Sequence, residues 1–171
     1  PDLGALPATL TAPPGGPWAW VLVTSPEAAS IVADAYAAAG RPTPPPPFAA
    51  VGDATGRVLA AAGLPPTFVP SVATGAVLVD ELPPPAAPGE RVLYPASMRA
   101  GSGVADGLAA RGFAVVRLDA YTTAGAVWGA AEAAAAGDVA VVSFASPSAV
   151  KAWVANGGGR PIAACIGGTS A

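Results

Sequence analysis

The chain has 171 residues, of which 53% are hydrophobic and 11% are charged, and its formal net charge is −3. It contains no histidine and one cysteine, which excludes histidine-based catalysis, histidine metal sites and a disulfide framework within this sequence. The eight Lys and Arg residues form no cluster and no apolar run is long enough to cross a membrane, so neither nucleic acid nor a bilayer is a predicted partner.

Apolar strand patterns and alanine-rich helix patterns alternate along the chain. Residues 1–17 are expected to hold only a short apolar motif and a Pro/Gly linker. Strict alternation of this kind is typical of a parallel sheet with helices on both faces. The predicted strands that follow cover 18–24, 48–51, 67–69, 91–94 and 113–118, and the predicted helices cover 26–39, 54–62, 75–82 and 100–110.

The alternation restarts after Tyr121, with helices predicted at 126–136 and 147–155 and strands at 138–144 and 161–166. We therefore predict an α/β protein with two parallel-sheet domains. Residues 18–118 form one complete five-strand domain, residues 119–125 connect it to the next, and residues 126–171 form part of that second domain. Because the chain begins with Pro1 and stops at Ala171 after a helix-start pattern, we expect it to be a fragment.

Two short patterns each occur twice, in the same order. A strand, a Ser-Pro turn and a helix cover residues 20–40 and again residues 139–155. An apolar run, a glycine and a Thr or Ser occur at 49–55 and again at 163–170. Repetition in the same order indicates two related half-structures.

Hydroxyl residues follow several predicted strands, where ligands bind in open α/β sheets. Backbone N–H groups at a helix start, together with a hydroxyl, suit anions without any Lys or Arg. The same residues are also the ordinary caps of any α/β protein, so this alternative stays open for each turn. None of the turns has the spacing of a nucleotide phosphate loop. The turns are TSP (24–26), GDAT (52–55), PAS (95–97), ASPS (145–148) and GGTS (167–170).

Tyr121 follows the last strand of the first predicted domain, where the chain crosses to the second. A phenol at that position could face a cleft and donate a proton. The alternative is a packing residue in the connector, since aromatic residues are common on half-buried strand surfaces.

Five segments together carry a family resemblance. They are VLVTSPEAA (21–29), AAVGDATGRVLAAAGL (49–64), RVLYPASMRAGSGVADGLAARGFAVVRLDAYTT (91–123), VAVVSFASPSAVKAWV (139–154) and AACIGGTSA (163–171). In this order they resemble uroporphyrinogen-III synthase, and the sequences of the motifs are most similar to those of the plant, algal and cyanobacterial branch of that family.

The resemblance implies two flavodoxin-like α/β domains joined by a two-stranded connector, with the active site between them. It implies that residues 1–17 and 126–171 both belong to the first domain of the family. The activity implied is the cyclisation of hydroxymethylbilane, a linear tetrapyrrole, to uroporphyrinogen III with inversion of the last ring. No metal or organic cofactor is expected. The implied compartment is the plastid for a plant or alga and the cytoplasm for a bacterium, and a monomer is expected.

The resemblance also assigns site residues, motif by motif. The connector tyrosine of the family falls on Tyr121, the candidate acid for loss of the hydroxymethyl oxygen. The implied catalysis is mostly positioning of the rings. The implied ligand contacts are Thr24, Ser25, Thr55, Ser97, Ser146, Ser148 and Thr169.

Two other functional classes stay open at this point. One is a non-catalytic bilobed protein that binds a different anionic ligand at the same turns. The other is an inactive fragment whose first family domain is too incomplete to fold stably. Selective binding of linear tetrapyrroles would favour the synthase over the non-catalytic binding protein. Exposed apolar surface would indicate the inactive fragment.

Overall fold

The structure, a computed structural model, describes residues 4, 6–11, 15–40 and 44–165. The chain divides into two compact units, Pro1–Thr122 and Thr123–Ala171. The division falls inside the segment predicted to connect two domains. None of the described helices is long and apolar enough to cross a membrane.

The first unit is built on a parallel sheet of four strands in the order β2-β1-β3-β4. This is the order of the first four strands of a flavodoxin-like sheet. The parallel α/β architecture predicted from the alternating pattern is confirmed. The strands are β1 (Trp20–Val23), β2 (Phe48–Ala50), β3 (Arg91–Ser97) and β4 (Ala114–Tyr121), and the helices that follow β1 are α2 (Pro26–Ala38), α3 (Asp53–Ala61), α4 (Gly75–Glu81) and α5 (Gly103–Ala110).

Helices cover both faces of this sheet. Val21 and Val23 pack with α2 and α3, whereas Leu22 packs with α4 and α5, because alternate strand residues point to opposite faces. All three side chains are fully buried. Burying one such side chain contributes roughly 1.5–3 kcal/mol, so two separate apolar layers hold the sheet.

The short apolar motif expected before the Pro/Gly linker forms a helix, α1 (Leu6–Thr11), which the sequence analysis did not predict. Leu6 and Leu10 lie one helical turn apart and are buried in the same core layer as α2. The segment expected to belong with residues 126–171 therefore packs within the first unit. Leu3 lies outside the described residues.

Several predicted strands have different lengths in the structure, among them 67–69 and 91–94. The predicted strand 67–69 is only a parallel bridge between Phe68 and Ala49, at the β2 edge of the sheet. The predicted strand 91–94 extends to Ser97 through Pro95. Pro95 is tolerated because it lies beyond the last residue of β3 paired with β1, so its missing N–H removes no bond on that side.

The second unit contains a two-stranded parallel sheet with its helices. Its aromatic side chains pack edge to face, with the Trp153 ring centroid 5.1 Å from that of Trp128 and 6.1 Å from that of Phe144. The described residues of α7 include none that is buried. The elements are α6 (Ala130–Gly137), β5 (Val141–Phe144), α7 (Pro147–Ala155) and β6 (Ile162–Cys165).

Helix α6 begins four residues later than the sequence predicts. Asn156, at the end of α7, accepts a hydrogen bond from the Trp128 N–H at 2.8 Å and donates one to the Ala126 carbonyl at 2.7 Å. These bonds hold residues 126–128 outside the helix. Glu132 then accepts the Gly129 N–H at 3.0 Å, which starts the helix at the next residue.

Candidate functional site

The turn after β1 is formed by Ser25. Its backbone is extended and its Oγ accepts the N–H of Ala28 at 3.0 Å, so Ser25 caps α2. Pro26 occupies the first helical position, where a missing N–H removes no helical bond. The cap predicted from the sequence is confirmed, and it brings the hydroxyl to the carboxyl end of β1.

Tyr121, at the end of β4, reaches the same hydroxyl. Its Oη lies 2.8 Å from Ser25 Oγ, a hydrogen bond between residues 96 positions apart. Since β3 lies between β1 and β4, the two side chains together bridge about 10 Å, two strand spacings, to make this contact. The candidate acid and one of the candidate ligand contacts therefore form a single polar pair.

A β-bulge explains the direction of the Tyr121 side chain. Pairing with β3 passes from Asp119 directly to Tyr121, which leaves Ala120 as an extra residue. Strict alternation would place Leu118 and Tyr121 on opposite faces of the sheet, because they are an odd number of residues apart. Instead, both pack against the core layer that contains α2. The bulge turns Tyr121 towards Ser25.

The turn after β3 is tied to the same strand end. The Met98 N–H donates to the Tyr121 carbonyl at 2.8 Å, and the half-buried Ser97 accepts the Arg99 N–H at 3.2 Å with its Oγ. The turns after β1 and β3 and the end of β4 thus meet at one edge of the sheet. In the strand order this edge contains the switch point, where open α/β sheets bind ligands.

Thr24 and Thr55 have different exposures. Thr24 is half-buried beside Ser25, whereas Thr55 is only 2% exposed. Helix α3 begins at Asp53 with Gly52 as its cap, so Thr55 is the third helical residue and faces inward. A Cβ at position 52 would lie 2.6 Å from the Ala73 Cβ, which makes this turn a close approach that only glycine fits. The role of Thr55 as a ligand contact stays a prediction.

The second unit repeats the cap seen after β1. Ser146 has an extended backbone and accepts the Ala149 N–H at 3.3 Å with its Oγ. Its Oγ also lies 2.9 Å from that of the exposed Ser148. Thr169, the remaining predicted contact, lies outside the described residues.

Two features of this edge were not predicted from the sequence. No residue type near Ala120 signals a bulge, so the sequence pattern does not predict it. Arg117 donates to several carbonyls of the turn after β3. Its sequence mark is a charge inside the otherwise apolar run FAVVRL, which is unusual in a strand of a covered sheet.

The chemistry available here is that of hydroxyls and backbone amides. Within the described part of the chain, no cluster of His, Cys, Asp and Glu has the composition of a metal site. A phenol that shares a hydrogen bond with a capping serine can hold and donate a proton. Helix starts beside it can bind carboxylates.

Comparison with known proteins gives one consistent result. The family model described as Uroporphyrinogen-III synthase HemD matches residues 2–171. The rice (Oryza sativa subsp. japonica) protein named uroporphyrinogen-III synthase, chloroplastic, is 38% identical over 169 residues, which cover 89% of this chain and 53% of the rice protein. The chain thus spans about half the length of that relative.

Solved structures share the fold. A mutant uroporphyrinogen III synthase from the extremely thermophilic bacterium Thermus thermophilus has a TM-score of 0.59 at 22% identity, over 99% of this chain and 69% of that one. The enzyme from Helicobacter pylori 26695 has a TM-score of 0.61 at 17% identity, over 91% of this chain and 71% of that one. At these identities the likeness extends to the fold alone.

Proposed function

The chain belongs to the uroporphyrinogen-III synthase HemD family, and we propose that it cyclises hydroxymethylbilane to uroporphyrinogen III. The reaction is a lyase step in tetrapyrrole synthesis. The hydroxymethyl C–O bond breaks and one water leaves. The substituted carbon of the last pyrrole ring bonds to the freed methylene carbon, and the resulting spiro intermediate rearranges to the inverted ring.

The observation that carries this proposal is the 2.8 Å hydrogen bond between Ser25 Oγ and Tyr121 Oη. Ser25 Oγ accepts the Ala28 N–H, so its own proton is available to the phenol oxygen. The Tyr121 proton is then free to point at the substrate. Tyr121 donates it to the leaving hydroxyl, and the Ser25 O–H stabilises the phenolate. The proton released when the last ring regains its aromaticity restores the phenol.

The acidic side chains of the substrate would be held at the helix starts. In the first unit, Thr24, Ser25 and Ser97 lie around Tyr121 at the carboxyl ends of β1, β3 and β4. In the second unit, we assign the same role to the α7 start with Ser146 and Ser148, and to Thr169. Most of the rate enhancement would come from fixing the rings so that closure occurs at the substituted carbon.

Residues 126–171 are proposed to be one part of a larger α/β domain. Their small sheet leaves large apolar side chains in solvent, including Val127 at 92%, Ile162 at 71% and Val154 at 69% exposure. A complete domain would cover such residues. A longer product of the same gene should bind less of an apolar-surface dye per mole than this chain does, and equal binding would contradict the assignment.

A location and an assembly state are proposed from the family resemblance. The rice relative is named as chloroplastic, and we propose the plastid for this protein as well. A monomer is proposed. A fluorescent fusion of the whole gene product tests the location, and cytoplasmic fluorescence would contradict it. Sedimentation velocity of the purified protein tests the assembly, and a dimer would contradict the monomer.

The activity is tested by a coupled assay with porphobilinogen and hydroxymethylbilane synthase. This chain, and the longer gene product where the gene encodes one, is added, and the oxidised porphyrin isomers are separated. We expect isomer III in excess over isomer I, the spontaneous product. If a folded protein that binds linear tetrapyrroles yields isomer I alone, the synthase proposal is wrong and the non-catalytic binding protein is favoured.

A further inference from the structure

Arg117 lies on β4 and is bonded to the turn that follows β3. Its guanidinium donates to the carbonyls of Ser97 at 3.1 Å, Ala100 at 2.9 Å and Gly101 at 3.3 Å. Its Nε lies 3.1 Å from a carboxylate oxygen of Asp119. A single planar side chain thus fixes both ends of a five-residue turn, Ser97–Gly101, a geometry that the lysine ammonium cannot reproduce.

These bonds orient the peptide groups of the turn. In a trans peptide the C=O and the following N–H point in opposite directions. Because Arg117 holds the carbonyls of Ala100 and Gly101, the N–H groups of Gly101 and Ser102 point away from the guanidinium. Arg117 therefore sets the direction of the amides that open α5.

The other amides of the turn already have partners. The Met98 N–H donates to the Tyr121 carbonyl at 2.8 Å, and the Ala100 N–H donates to the Ser97 carbonyl at 2.9 Å. The Arg99 N–H donates to Ser97 Oγ at 3.2 Å. Of the backbone amides in the turn, those left for a ligand are therefore the ones whose direction Arg117 determines.

We propose that Arg117 is a positioning residue for substrate binding, which acts by holding the Ser97–Gly101 turn in the shape that receives an acidic side chain of the substrate. The inference rests on the proposed function for the identity of that substrate. The hold of Arg117 on this turn, called the Arg117 clamp below, rests on the hydrogen bonds from its guanidinium to the three carbonyls. Arg117 is not a catalytic residue, because it acts through the turn.

Arg111 provides a matched control. Its guanidinium also donates to backbone carbonyls, those of Val79 and Leu82, the latter at 2.7 Å. These carbonyls lie at the end of α4, and Arg111 follows the end of α5, away from the Tyr121 edge. Substituting either arginine therefore removes a similar set of bonds, but only Arg117 holds a turn of the proposed site.

The test compares Arg117→Lys and Arg111→Lys in the isomer assay, together with amide hydrogen exchange. In Arg117→Lys we expect KM to rise roughly tenfold with a smaller change in kcat, since a distorted binding turn weakens ground-state and transition-state binding alike. The share of isomer III at low substrate should fall, and the amides of Met98 and Ala100 should exchange faster. In Arg111→Lys the KM, the share of isomer III and the exchange rates of the two amides should match those of the unsubstituted protein.

The possible results distinguish a failure of the positioning role from a failure of the proposed activity. Isomer III production with the same KM in both variants would overturn the positioning role and leave the synthase. Unchanged exchange at Met98 and Ala100 in Arg117→Lys would overturn the clamp whatever the activity. If the unsubstituted protein makes only isomer I, the proposed function fails and the substrate role of Arg117 fails with it, while faster exchange would still support the clamp.

Discussion

At the scale of single residues, Ser25 performs two tasks. Its Oγ caps α2 and contacts Tyr121 Oη, so one side chain links a helix start to a strand end. The cap could be predicted because Ser-Pro-Glu after an apolar run is a local pattern. The contact with Tyr121 could not, because it joins two residues 96 positions apart through the register of three strands.

A double-mutant cycle measures that contact. Ser25→Ala should lower the free energy of unfolding by about 1–2 kcal/mol, because it removes the cap and the contact together. Tyr121→Phe should cost about 1 kcal/mol, because it removes the contact alone. Urea denaturation of the two single variants and the double variant should give a coupling of about 0.5–1.5 kcal/mol. Additive costs would mean that the two hydroxyls do not bond in solution.

Glu81 offers a second test at this scale, away from the proposed site. The hydroxyl and the backbone N–H of Ser71 both donate to its carboxylate and hold its pKa below the ordinary value. A lowered pKa stabilises the fold above the unfolded-state pKa, and this contribution is lost as the pH falls through the folded-state value.

We expect Ser71→Ala to raise the pKa of Glu81, because the substitution removes the hydroxyl bond, which is the largest cause of the shift. Carboxyl carbon chemical shifts followed through a pH titration measure this directly. Ser30→Ala, which removes a hydroxyl bonded to the Pro26 carbonyl instead, is the control and should leave Glu81 unchanged. A pKa that does not move in Ser71→Ala contradicts the contact.

At the scale of elements, the sequence pattern predicts the alternating strands and helices well, because each apolar run and each cap is local. It fails where one element acts on another. Helix α5 begins at Gly103 rather than near residue 100, since Arg117 holds the carbonyls of Ala100 and Gly101 outside the helix. The bulge at Ala120 exists only in the pairing of β4 with β3.

Deleting Ala120 tests whether it is the extra residue of the bulge. Without it, Leu118 and Tyr121 are two residues apart, and regular alternation keeps both on the α2 face of the sheet. The variant should therefore keep the Ser25–Tyr121 coupling in the double-mutant cycle. Deleting Thr123, beyond the end of β4, is a control that keeps the register. Loss of the coupling in the Ala120 deletion, but not in the Thr123 deletion, would contradict the assignment of Ala120 as the extra residue.

Close packing of α4 against α5 gives another test at this scale. A Cβ at Gly107 would lie 2.8 Å from a methyl carbon of Val79, whereas one at Gly103 would have no neighbour within 4 Å. Gly107→Ala should therefore destabilise the protein by about 1–3 kcal/mol. Gly103→Ala should be neutral or stabilise it by up to about 1 kcal/mol. Thermal unfolding compares the two, and equal shifts would contradict the close packing.

At the scale of the whole molecule, the resemblance of five ordered segments predicted the family, and the family model confirms it over residues 2–171. The order of the strands brings Ser25, Ser97 and Tyr121 to one edge, although they lie far apart in the sequence. Thr55 illustrates what a motif leaves out, since its neighbours fix a buried position for a residue expected to contact ligand.

We propose that Tyr121, supported by Ser25, donates the proton that releases the hydroxymethyl oxygen. The most direct measurement is the rate of isomer III formation by Tyr121→Phe, under substrate saturation and with Tyr36→Phe as the control. We expect kcat to fall by about 10²–10⁴-fold in Tyr121→Phe with little change in KM, and to hold in Tyr36→Phe. An unchanged kcat in a folded Tyr121→Phe protein would contradict the assignment of the acid.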